Sequence, residues 1–132
     1  MTTATDRVSA IFADARAVHA DALRLLESGD IRDAAEKAWC ATKRATDALI
    51  IARTGEAPQF SSDTSRGLLM LAEADATVNP LIGRYYSRQG HLHGECFYHG
   101  VCEPVAEVER RIRQTADYIR DAERLAGYAN GP

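Results

Sequence analysis

The sequence predicts an all-α domain, and three observations carry that reading. Twenty-three of the 132 residues are alanine, and the cationic set is 14 arginines with only Lys37 and Lys43 beside them, a composition that favours helix. No strict alternation of apolar and polar residues survives more than a few positions, and aromatic residues make up only 7% of the chain, which argues against strands. Pro58, Pro80, Pro104 and Pro132 fall where helical patterns start or stop. With 45% hydrophobic against 27% charged residues, 132 residues make one packed domain, 1–132, with 1–5 and 127–132 expected to fray.

From Asp6 to Glu27 the residues Val8, Ile11, Phe12, Ala15, Val18, Ala22, Leu25 and Leu26 recur at three- and four-residue steps, which defines one buried helical stripe. Ser28-Gly29-Asp30 then supplies a glycine stop and an aspartate cap, and the periodicity resumes at Ile31, Ala34, Ala35, Ala38, Trp39 and Thr42 and runs to Gly55. So short a connection leaves the two helices antiparallel. A loop with Pro58 precedes a shorter helix capped by Ser62 or Asp63, with Leu68, Leu69, Leu71 and Ala72 as its apolar residues. Asn79-Pro80 opens a fourth helix through Leu81, Ile82, Tyr85, Tyr86, Leu92, Cys96 and Phe97. A last helix starts near Glu103-Pro104 and turns Val105, Val108, Ile112, Thr115, Ile119, Ala122 and Leu125 inward, its mixed charges forming a solvated face. The whole is an up-and-down bundle of four to five helices.

Charge and cysteine usage exclude several function classes. A net charge of −3 rules out a broadly basic coat for nucleic acid, although it leaves room for a local patch. Apolar stretches stop at four or five residues, so no membrane span is expected, and the polar start MTTATDR has no secretory character; the expected location is the cytoplasm. Cys40, Cys96 and Cys102 are an odd number in a chain too large to need staples, which points to reduced thiols.

The segment from Gly83 to Cys102, GRYYSRQGHLHGECFYHGVC, concentrates arginine, histidine, cysteine and tyrosine as no other stretch does. Gly83, Gly90 and Gly94 sit inside a predicted helix at a cost of about 1 kcal/mol each relative to alanine, so they must permit something. With Ser87 they form one small-residue stripe, a groove where a neighbouring helix, a second subunit or a ligand can approach. A second stripe, Arg84, Arg88, His91 and Glu95, is polar throughout. Arginine offers a planar fork of donors to phosphate and histidine exchanges protons near neutral pH, so the two suit phosphodiester chemistry. The same side chains also serve simply to keep a helix soluble.

The string RQGHLHGECF, Arg88 to Phe97, resembles the motif of the HEPN superfamily, in which a histidine follows an arginine after four to six residues. Arg88, Gln89, His93 and Gly94 fit it in order, and LLESGDIRDAAEKAWCATKRATDAL, Leu25 to Leu49, is similar to the first helical hairpin of stand-alone HEPN-like proteins. The resemblance implies a HEPN-like bundle that forms a homodimer with both motifs facing one cleft. It further implies metal-independent RNA cleavage, in which the ribose 2′-hydroxyl attacks the adjacent phosphorus. Arg88 and His93 are then the catalytic residues, and Arg84, Gln89 and His91 bind the substrate, with no cofactor or metal. RNA or a nucleotide is the implied ligand, and an antitoxin or a nucleotidyltransferase the implied partner. A tyrosine found two positions after the histidine in such toxins is Glu95 here. Other HEPN-like proteins are non-catalytic scaffolds, accessory subunits or small-molecule binders, and that is the alternative reading.

Residues five apart on an α-helix point about 140° from each other, so Arg88 and His93 of a single copy do not converge, whereas two copies across a twofold axis can. His91, His93, Cys96, His99 and Cys102 include zinc-ligand types, but no Cys-x-x-Cys knuckle is present and Cys96 belongs to the apolar series. Trp39 reads as a core anchor and His19 as a half-buried boundary residue.

Overall fold

The computed structural model describes residues 3–127, and among these every regular element is helical. The helices are α1 (Ala4–Glu27), α2 (Ile31–Thr54), α3 (Ser61–Ala74), α4 (Pro80–Arg88) and α5 (Val105–Leu125). A single 3-10 turn, Ala76–Val78, precedes α4, and a π-helical segment, Gln89–Tyr98, continues it. Among the described residues no helix is long and apolar enough to cross a membrane. The fraying expected at 1–2 and 128–132 lies outside the described residues. At the start of α1, Thr3 and Asp6 form a reciprocal cap in which each side chain accepts the other's backbone N–H.

Three residues separate α1 from α2. Gly29 takes a φ of 90°, which lets its N–H reach Leu26 O and the Asp30 N–H reach Leu25 O, so the last carbonyls of α1 are satisfied. Asp30 then accepts the Asp33 N–H at 3.1 Å and starts α2. Thirteen of the 24 residues of α2 are buried, many of them alanines, and this lets α2 touch every other helix. Buried Thr42 and Thr46 satisfy their hydroxyls on carbonyls four residues back.

Three local expectations are corrected. The cap of α3 is the Phe60 position, where the Asp63 carboxylate reaches back to the Phe60 N–H at 3.1 Å. Val105, expected inward, is 56% exposed, as Leu69 of α3 is at 45%, while Tyr118 is fully buried on α5 with its hydroxyl 2.6 Å from Thr46 Oγ1. His19 is buried, and its Nε2 lies 2.9 Å from the Ile112 carbonyl oxygen, which ties α1 to α5.

Candidate functional site

The site is built on the change of ladder at the end of α4. Pro80 starts α4 and buries Leu81 and Tyr85, and the Tyr85 ring packs edge-on to Trp39 at 5.1 Å. At Gln89 the backbone passes into wider i→i+5 turns, as in the bond from His99 N–H to Gly94 O at 3.0 Å. The expected helix therefore exists, but its second half is wider than an α-helix.

Arg88, the last residue of α4, is 4% exposed. Its guanidinium faces α5: Nε donates to Thr115 Oγ1 at 3.2 Å, Nη2 to the Arg111 carbonyl at 3.5 Å, and Nη1 to the Arg84 carbonyl at 3.4 Å. It also lies 5.7 Å from the centre of the Tyr118 ring, which Arg84 approaches to 5.4 Å. Burial and the neighbouring Arg84 cation pull the pKa of Arg88 down to about 10, and the Tyr118 side chain partly opposes them. Within the single chain Arg88 therefore lies in the seam between α4 and α5. An Arg88 side chain on this helix face must pass between α4 and α5, and the polar atoms it meets there hold it.

His93 faces the other way. Its Nδ1 lies 2.7 Å from Glu36 Oε1 on α2, and its ring lies 6.0 Å from Trp39 and stacks on Phe97 at 6.3 Å. The His93 side chain is 41% exposed. His91, two residues earlier, pairs with Glu95 at 2.9 Å on the solvent side. Arg84 donates to Asp121 at 2.8 Å, and Gln89 is half-buried. Arg84 and Arg88 thus meet over one tyrosine ring, whereas His91 and His93 are directed to solvent and to α2. The five candidate residues do not gather into one pocket within the chain.

The small-residue stripe is not a contact between helices of this chain. A Cβ added at Gly83 or Gly90 would meet nothing within 4 Å, and at Gly94 only the Gln89 carbonyl oxygen at 3.6 Å. Cys96 and Cys102 form a disulfide, contrary to the reduced thiols expected, because the chain reverses at Gly100, whose φ is 74°, and brings the two Cα atoms to 4.3 Å. Among the described residues no group of three His, Cys, Asp or Glu side chains is placed to hold a metal ion.

A family model matches residues 10–119, from within α1 to within α5. The chain belongs to the archaeal PaREP1/PaREP8 family. No curated protein and no solved structure matches it. The span shared with the PaREP1/PaREP8 family includes Arg84, Arg88, His93 and the disulfide. It also includes Glu36 and Thr115, the partners of the motif that the sequence reading missed. Both lie far from the motif in sequence, so no spacing rule could pair them with it; the only sequence signal was their place on helices with buried stripes.

Proposed function

We propose that this protein is a HEPN-like helical scaffold that acts as a homodimer, with Arg88 and His93 serving as the two polar anchors of its π segment. The burial of Arg88 carries this reading. A phosphate could recruit that guanidinium only by displacing Thr115, two helix carbonyls and the Tyr118 ring. The α4–α5 seam would open in the process, and its buried acceptors would lose their donor. The face that carries Gly83 and Gly90 supports the dimer, because it is open in the single chain and Tyr86 beside it is 38% exposed.

His93 favours the second reading, metal-independent endoribonuclease. With Nδ1 held by Glu36 and the ring half-exposed, Nε2 is free to exchange a proton with a ribose hydroxyl. In that reading Arg84, Gln89 and His91 face RNA, and the chain is the toxin partner of a nucleotidyltransferase.

One experiment separates the two. Purified protein is incubated with mixed RNA in EDTA beside Arg88→Ala and His93→Gln variants, and the melting temperature of each is recorded. The scaffold gives no cleavage and a lower Tm for Arg88→Ala. The nuclease gives cyclic-phosphate and 5′-hydroxyl ends that disappear in His93→Gln while its Tm holds. Sedimentation of Gly90→Leu tests the dimer: a leucine there yields monomer if the open face is the contact, and an unchanged dimer removes that face from the proposal.

A further inference from the structure

The C-terminal end of the π segment has two fastenings. Arg32 on α2 donates to the Phe97 carbonyl at 2.6 Å and to the Tyr98 carbonyl at 3.2 Å, so it caps carbonyls that the helix end leaves open. Its guanidinium lies alongside Gly100, where a Cβ would stand at an ordinary contact distance of 3.4 Å from it. The other fastening is the Cys96–Cys102 bond, which joins the last turn to the returning chain. Between them, Gly100 N–H donates to Cys96 O at 3.0 Å and Val101 N–H to Glu95 O at 2.8 Å.

The two cysteines differ in exposure. Cys96 is fully buried in the core beside Ile31, whereas Cys102 is half-buried on the outer strand of the reversal. The bond spans six residues, and so short a loop removes little freedom from the unfolded chain, so its effect is local order more than global stability. Cys40, the third cysteine, is half-buried on α2, and burial, with Glu36 beside it, pushes its thiol up, so it remains a thiol and a poor competitor for exchange.

We propose that the Cys96–Cys102 disulfide is a thiol-operated latch on the π segment, opened by an external dithiol reductant. The thiolate of that dithiol attacks Cys102 Sγ, the S–S bond breaks, and Cys96 leaves as a thiolate that takes up a proton. The second thiol of the reductant then attacks the mixed disulfide and releases Cys102, so two electrons and two protons pass to the protein and the dithiol is oxidised. Opening frees the reversal at Gly100 and loosens the Arg32 cap. Through Phe97, which stacks on His93, it alters the packing of His93 on Trp39. The exposed Tyr98 and Val101, 70% and 50% exposed, move with it and change the surface offered to a partner. The latch does not depend on whether the protein is a scaffold or a nuclease.

The test compares air-oxidised protein, the same protein reduced with dithiothreitol, and a Cys102→Ser variant, by thiol counting, amide hydrogen exchange and the emission of Trp39, the only tryptophan. Air-oxidised protein, counted in denaturant so that Cys40 is accessible, should show one free thiol. Reduction and Cys102→Ser should each lower the protection of the His99, Gly100 and Val101 amides by about tenfold or more and shift Trp39 emission, while amides of α1 and α2 are unchanged. Three free thiols after oxidation overturn the proposal, as does unchanged protection at 99–101 after reduction. Loss of protection throughout α1 and α2 in the reduced wild type also overturns it, since the bond would then be a staple of the whole fold. If Cys102→Ser does not fold, the reduced wild type gives the same readouts.

Discussion

Along α1 and α2, Val8, Phe12, Ala15, Ala22, Ala34 and Ala41 are buried in the shared apolar core, and the turn that joins the helices is closed by one glycine and one aspartate. Around α4 and the π segment the fastening is different: Arg88 ties to α5, His93 to Glu36, Arg32 to the carbonyls of Phe97 and Tyr98, and a disulfide closes the end. Apolar contact is non-directional, so the hairpin needs only the right face and volume, and many sequences satisfy it. Polar anchors work only in one geometry. They fix a segment whose glycines and wide turns give it little helical preference of its own, and they leave it sensitive to single substitutions.

Arg88→Ala is the sharpest way to break this contrast. It removes a buried side chain and the donor to three acceptors, so denaturant unfolding should show a loss of about 2–4 kcal/mol. Arg88→Lys should recover little, because one ammonium cannot serve Thr115, Arg84 and Arg111 together. If Arg88→Ala were as stable as wild type, the α4–α5 seam would be no more polar in its energetics than the hairpin.

The hairpin has its own weak point in the turn. Gly29→Val forces a β-branched residue to φ near 90° and should cost about 1–2 kcal/mol, measured by the same unfolding curves. An effect as large as that of Arg88→Ala would mean that the turn, and not the apolar face, holds α1 to α2.

A smaller effect is expected at the Asp75 turn that leads into α4. Bonds from the Thr77 hydroxyl and the Thr77 N–H, with Arg53 behind them, hold the Asp75 carboxyl below its ordinary 3.8. A carboxyl lowered by folding stabilises the protein above its unfolded value, and that contribution is lost as pH falls through the folded one. Unfolding of Asp75→Asn across the acid range should therefore differ most from wild type near neutrality, with the two converging below 3.8. A difference that does not change with pH would assign the turn to backbone geometry alone.

The hairpin was legible because its residues interact at spacings the helix itself sets: Val8, Phe12, Ala15 and Ala22 announce one face, and Gly29-Asp30 announces the turn. The residue types of the candidate site were legible for the same reason, since Arg88 and His93 stand five apart in one segment. Their orientation was not. It depends on the i→i+5 ladder and on Thr115 and Glu36, which lie 27 and 57 residues away. The disulfide escaped because Cys96 and Cys102 approach only through the reversal at Gly100, which apolar periodicity does not record.

The central claim, that Arg88 is an internal anchor, is tested most directly by NMR of arginine side chains in 15N-labelled protein. Held between α4 and α5 by three acceptors, the Arg88 Nε–H should give a dispersed signal that exchanges slowly with water at neutral pH, and it should vanish in Arg88→Ala. An Arg88 Nε–H signal that is averaged and exchanges as fast as those of the exposed arginines would contradict the account and return Arg88 to an open, ligand-facing role.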